Sequence, residues 1–167
     1  MKTKKLVFMA ILTAIALTIF LVEAQIPSPV PVQGVKLGLS NIVTVYAVFA
    51  LGSGEAALIL FCRIFLGAVF SGNFASIFYS AAGGLLAILT AIGLKKVLHK
   101  NQIWIAGICG AIAHSVGQMI VAMILTETPF IIVYLPIMIV CSIFTGLFTG
   151  LAGQFLVNRG KLRERFL

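Results

Sequence analysis

Arg63 is the residue whose position most demands a chemical explanation, because it stands in the middle of the apolar run 56–70. A guanidinium near mid-bilayer costs about 3 kcal/mol even on lenient insertion scales, so such a group is buried with a partner or in a wet cavity. Its planar fork could receive an anionic substrate group bidentately; pairing with a helix C-terminus or a loop glutamate is the structural account. His114, Ser115 and Gln118 lie with Gly107 and Ala111 at spacings of three and four, which places them on one helical stripe. That stripe is small at one end and polar at the other, suiting close packing below and a cavity above, although hydrogen bonds to neighbouring helices would equally account for His114 and Gln118. Lys36, Asn41, Asn73 and Tyr79 fall near the ends of apolar runs on the polar side of this stripe. With Arg63 they make a candidate pocket for a small molecule, roofed by the loop carrying Gln25 and Gln33, while Tyr79 also fits an interfacial anchor.

Other chemistries are excluded by what the chain lacks. It has no Asp, and Glu23, Glu55, Glu127 and Glu164 all fall at predicted helix ends, in loops or in the tail. No paired-carboxylate site for acid/base work and no carboxylate-rich magnesium site can be assembled within the membrane. Ser/His/Asp catalysis lacks its acid, and the phosphate-cradling Gly-x-x-x-x-Gly-Lys motif does not occur. His99 belongs to a loop, so His114 has no second histidine for a metal, and no cofactor is expected. Cys62, Cys109 and Cys141 show no metal or redox spacing and read as small apolar residues. These absences disfavour an enzyme and favour binding.

The elements that must position these residues are transmembrane helices. Hydrophobic residues make up 61% of the 167, and only 10% are charged, more apolar surface than a soluble domain of that size covers. Six runs of roughly membrane-spanning length, at about 6–22, 37–51, 56–70, 74–94, 103–125 and 130–157, use nearly the whole chain. They predict an all-α bundle forming a single transmembrane domain over 1–167. The first run follows a basic start like that of a signal peptide, but it is longer than a signal core and reads as a retained helix. The loop 23–36 has prolines at 27, 29 and 31, which forbid helix there.

Charge orients the bundle. With six spans, Lys2, Lys4, Lys5, Lys95, Lys96, Lys100, Arg159, Lys161, Arg163 and Arg165 share one side, and Lys36 stands alone on the other. The positive-inside rule then puts both termini in the cytoplasm of a multi-pass cell-membrane protein, with the candidate pocket facing outward. The net charge of +8 is therefore explained without nucleic acid. Small residues at Ala10 and Ala14, and at Gly146, Gly150 and Gly153, mark faces where helices approach closely, by default within the bundle.

The patterned first helix (FMAILTAIA, 8–16), the long loop after it and the KLGLSNI start of the second run resemble the substrate-binding S components of energy-coupling factor vitamin transporters. The run QGVKLGLSNIV at 33–43 and the segment RIFLG at 63–67 resemble, more closely, the Gx transporter family, also catalogued as heptaprenyl diphosphate synthase component I. The S-component resemblance implies a substrate bound from outside, with Ala10 and Ala14 packing on a transmembrane coupling subunit driven by two ATPases. The leading expectation is therefore a substrate-binding subunit of an importer for a small, anionic solute, using Arg63, Lys36, Asn41, His114, Gln118, Asn73 and Tyr79. The alternative is a non-catalytic membrane accessory subunit of heptaprenyl diphosphate synthesis, since prenyl elongation needs aspartates that hold magnesium.

Overall fold

Each apolar run becomes a helix in the computed structural model, which describes residues 3–26 and 35–160. In chain order these are α1 (Thr3–Glu23), α2 (Asn41–Ala50), α3 (Ser53–Ser71), α4 (Ala75–Lys95), α5 (Ile103–Leu125) and α6 (Leu135–Arg159), with 3-10 turns at Lys100–Gln102 and Pro129–Tyr134. The proline stretch with Gln33, and Lys2, Lys161, Arg163, Glu164 and Arg165, lie outside the described residues. All the α-helices except α2 are long and apolar enough to cross a membrane. Their outer faces carry Phe61, Phe65, Phe78, Phe144 and Phe148 largely exposed. A helix that is apolar on both its inner and outer faces is solvated by lipid, so this is a multi-pass membrane protein.

The short α2 is the hub. It touches all five other α-helices, and of its ten residues only Ile42 and Phe49 are not fully buried. Around it, α1 packs on α3, α3 on α4, α4 on α5 and α5 on α6, whereas no comparable packing joins α6 back to α1. An apolar groove of about 330 Å³ opens there, lined by residues of α1, by Ile42, Val43 and Tyr46 of α2, and by Leu156 of α6. At the Lys5 end, Lys5 bonds Glu55 at 2.5 Å and Lys95 donates to the Val48 carbonyl at 2.5 Å, capping the end of α2.

The tightest seam is α5 against α6. A β-carbon on Gly107 would lie 2.5 Å from the Gly146 carbonyl oxygen, and one on Gly150 would lie 2.7 Å from the backbone of Trp104. The two backbones thus touch where side chains would hold them apart. The Gly146/Gly150 spacing therefore serves internal packing.

Two predicted boundaries are corrected. The second helix starts at Asn41 instead of 37, because Gly38 adopts φ 84 and its carbonyl closes a tight turn on the Asn41 amide. A φ in that region suits glycine and interrupts a right-handed helix. The sixth run does not form α-helix from 130, since Pro136 has no N–H to bond back to residue 132 and its ring crowds that carbonyl. Residues Pro129–Tyr134 wind as 3-10 helix and α6 begins at Leu135.

Candidate functional site

Residues 35–40 form a short strap leading into α2, and they tie three other helices together. On α1, the Glu23 carboxylate accepts the Gly38 N–H. On α5, Gln118 Oε1 accepts the Lys36 N–H at 3.0 Å. On α6, Thr145 Oγ1 donates to the Leu37 carbonyl at 3.4 Å. The Lys36 ammonium turns back over the Phe20 ring, 3.2 Å from its centroid, and the Arg63 guanidinium stands 5.5 Å from the same centroid. Phe20 reaches that place because Gly67 leaves room: a β-carbon there would lie 2.7 Å from the ring.

Under the strap, Glu23, Lys36, Arg63, Ser80, His114 and Gln118 converge with Phe20, Gly38 and Ser40 on one polar cluster, packed so closely that no water-sized space remains. Arg63 is 2% exposed and Glu23 3%. Neither cation forms an ion pair with Glu23 within 4 Å; among the described residues, that contact is made by Lys5 and Glu55. Arg63 Nη2, Glu23 Oε2 and both amide atoms of Asn41 are buried without a hydrogen-bond partner. Buried polar atoms are nearly always satisfied, so several unpaired ones at one place set this cluster apart from the rest of the bundle. Burial lowers the Lys36 pKa to about 8, Glu23 opposing the fall and Arg63 adding to it.

The tautomer of His114 follows from its partner. With Gln118 Oε1 accepting from the strap, Gln118 Nε2 faces His114 Nε2 at 2.9 Å. An amide nitrogen can only donate, so His114 Nε2 accepts and the ring proton sits on Nδ1. Nδ1 faces α4, where a β-carbon on Gly83 would lie 2.7 Å away. The imidazole is thus a neutral wedge between α4 and α5. The neighbouring Ser115 hydroxyl bonds that of Ser142 on α6 at 2.6 Å.

Of the residues singled out in the sequence, Arg63, Lys36, His114 and Gln118 are brought together here. Asn41 adjoins them: a β-carbon on Gly38 would touch Asn41 Nδ2 at 2.9 Å and His114 Cδ2 at 3.1 Å. Two do not join. Asn73 Oδ1 accepts the Ser76 N–H at 3.2 Å at the start of α4, using its side chain on its own backbone as asparagines before helices do. Tyr79 is buried in an apolar cluster with Val35, Met119, Ala122 and Met138. Gln25 is exposed. Ala10 and Ala14 line an apolar groove of about 350 Å³ between α1 and α3 and are exposed within it.

Sequence reading missed Glu23 and Phe20 as members of the cluster. Glu23 sits at a helix end, as expected, but turned inward; the available signal was a carboxylate ending an apolar helix with a buried arginine elsewhere in the chain.

No curated protein and no solved structure matches this chain. The model of the family described as heptaprenyl diphosphate synthase component I matches residues 12–156, and the chain belongs to that family.

Proposed function

We propose that the chain is a non-catalytic membrane subunit that binds an anionic amphiphile, a polyprenyl diphosphate, and works with a partner synthase component. The observation that carries this reading is the cluster itself: two buried or half-buried cations, Arg63 and Lys36, meet one carboxylate, Glu23, and leave a cationic surplus. A buried surplus charge is unfavourable until a counter-charge arrives. The apolar groove supports the second half of the ligand. Its lining runs along α1 from Phe8 to Ile19, toward the end of that helix that carries Phe20 and Glu23 of the cluster, so a charged head and an apolar tail have places at the same end of the bundle. The chain has no Asp, so magnesium-dependent elongation belongs to the partner.

The importer reading is favoured by a separate observation. The described basic residues Lys4, Lys5, Lys95, Lys96, Lys100 and Arg159 gather at the end opposite the strap, which by the positive-inside rule faces the cytoplasm of the cell membrane. The cluster then faces outward, as a substrate-capturing subunit requires, and the exposed Ala10 and Ala14 offer a small-residue face to a coupling subunit.

Affinity purification from gently solubilised membranes separates the two. An aspartate-rich prenyl synthase bound in stoichiometric amount supports the first reading; a coupling subunit with two ATPases replaces it with the second. Retention of neither, with no prenyl diphosphate binding by the purified chain, overturns the proposal.

A further inference from the structure

We propose that Glu23 is a resident counter-anion: its carboxylate stands in for the anionic group of the ligand and holds the strap closed until the ligand replaces it. The inference rests on the anion-binding reading given above. The cluster is full, so anything that enters must move something. The helices are poor candidates, since α5 is locked to α6 by backbone contacts at Gly107, Gly146 and Gly150, and to α4 at Gly117, where a β-carbon would lie 2.7 Å from the Ala82 carbonyl oxygen. The strap is a good one. Besides the contacts at Gln118, Thr145 and Phe20, what holds it is the Glu23 carboxylate on the Gly38 amide, the tether to this segment in which a full charge accepts a backbone hydrogen bond.

Glu23 is also the carboxylate that lines the cluster, in electrostatic reach of both Lys36 and Arg63 yet in ion-pair contact with neither. A closed salt bridge would resist displacement; this arrangement leaves Arg63 Nη2 and Glu23 Oε2 buried and unpartnered in the same polar cluster. An anion arriving at Arg63 Nη2 brings a second negative charge into the field that Glu23 occupies, where water screens little. The repulsion is relieved when the carboxylate leaves Gly38, so anion binding and strap release become two faces of one equilibrium. The competing account, in which Glu23 receives a cationic group of the ligand, predicts the opposite sign when its charge is removed.

The test uses the full chain in lipid nanodiscs, with inorganic diphosphate as the probe, calorimetry for affinity and hydrogen exchange of residues 35–40 for the strap. Diphosphate is expected to accelerate exchange of the strap amides in the wild type. Glu23→Gln, which keeps the shape and removes the charge, is expected to bind diphosphate about tenfold more tightly, with faster strap exchange before any ligand is added. If that variant does not fold, Glu23→Asp keeps the charge but falls short of Gly38, and faster strap exchange without loss of affinity supports the same conclusion. Weaker diphosphate binding by Glu23→Gln, or a strap that stays protected when wild type is saturated, overturns the proposal. Failure of wild type to bind diphosphate at all overturns the anion reading beneath it, and the two failures are told apart by whether wild-type binding survives.

Discussion

Gln118 holds the Lys36 backbone amide with its oxygen at 3.0 Å and His114 Nε2 with its nitrogen at 2.9 Å, so one side chain sets both the height of the strap and the tautomer of the histidine beneath it. It is 1% exposed, and its bond to His114 is buried from water while its bond to the Lys36 amide is half-buried. Gln118→Leu is therefore expected to strand a half-buried donor and the buried His114 acceptor, lowering stability by about 1–3 kcal/mol, chiefly through the acceptor. Thermal unfolding in detergent, followed by circular dichroism, reads this loss directly, and an unchanged midpoint would show that the strap is held elsewhere.

Arg63 behaves differently, because its charge is not matched by an ion pair within 4 Å. Removing an unmatched buried charge relieves desolvation, so Arg63→Met should fold at least as well as the wild type. Binding of diphosphate should fall by about 10- to 100-fold, the worth of hydrogen bonds to a charged group. Calorimetry on the folded variant checks both halves. Intact affinity would place the anion elsewhere.

Much of this was legible in the sequence, and the failures have physical causes. Six apolar runs fix six helices because lipid demands them, and the types of Arg63, His114 and Gln118 mark them as needing partners wherever they fall. The late start of α2 was hidden because nothing local says that Gly38 takes a positive φ there, with its amide on Glu23, fifteen residues away. Glu23 itself read as a solvated helix end, since nothing local says that a terminal carboxylate turns inward. Phe20 is one of many phenylalanines in apolar runs and carries no mark of the two cations that share its ring. Asn73 misled for the converse reason: its polarity is spent on its own helix.

Lys36 gives the site a pH dependence. Its pKa in the folded chain is lowered from 10.5 to about 8 by burial, and a bound anion would raise it again by favouring the charged form. Anion affinity is then full well below pH 8 and declines as pH rises through the free-state value, by up to about tenfold per unit until the bound-state value is reached. Stability of the ligand-free fold runs the other way, rising between about pH 8 and 10.5 as the unfolded chain retains the proton that the folded chain has lost. Lys36→Met should flatten the affinity profile across this range. A profile that stays steep in that variant would assign the titration to another group.

Glycine positions offer a contrast that tests the α5 to α6 seam without touching the cluster. A β-carbon on Gly107 would meet the Gly146 carbonyl oxygen at 2.5 Å, backbone that cannot swing aside as a side chain could, whereas one on Gly93 near the end of α4 meets nothing within 4 Å. Gly107→Ala should force α5 and α6 apart and lower stability by about 1–3 kcal/mol, the usual range for overpacking. Gly93→Ala should be neutral or stabilising by up to about 1 kcal/mol, because alanine loses less backbone freedom in a helix. Paired melting curves in the same detergent decide the matter. Since Ser115 bonds Ser142 across the same seam and His114 stands beside Ser115 on α5, Gly107→Ala should also loosen the strap, seen as faster exchange of residues 35–40; a destabilised seam with an unaltered strap would show that the two ends of the bundle yield independently.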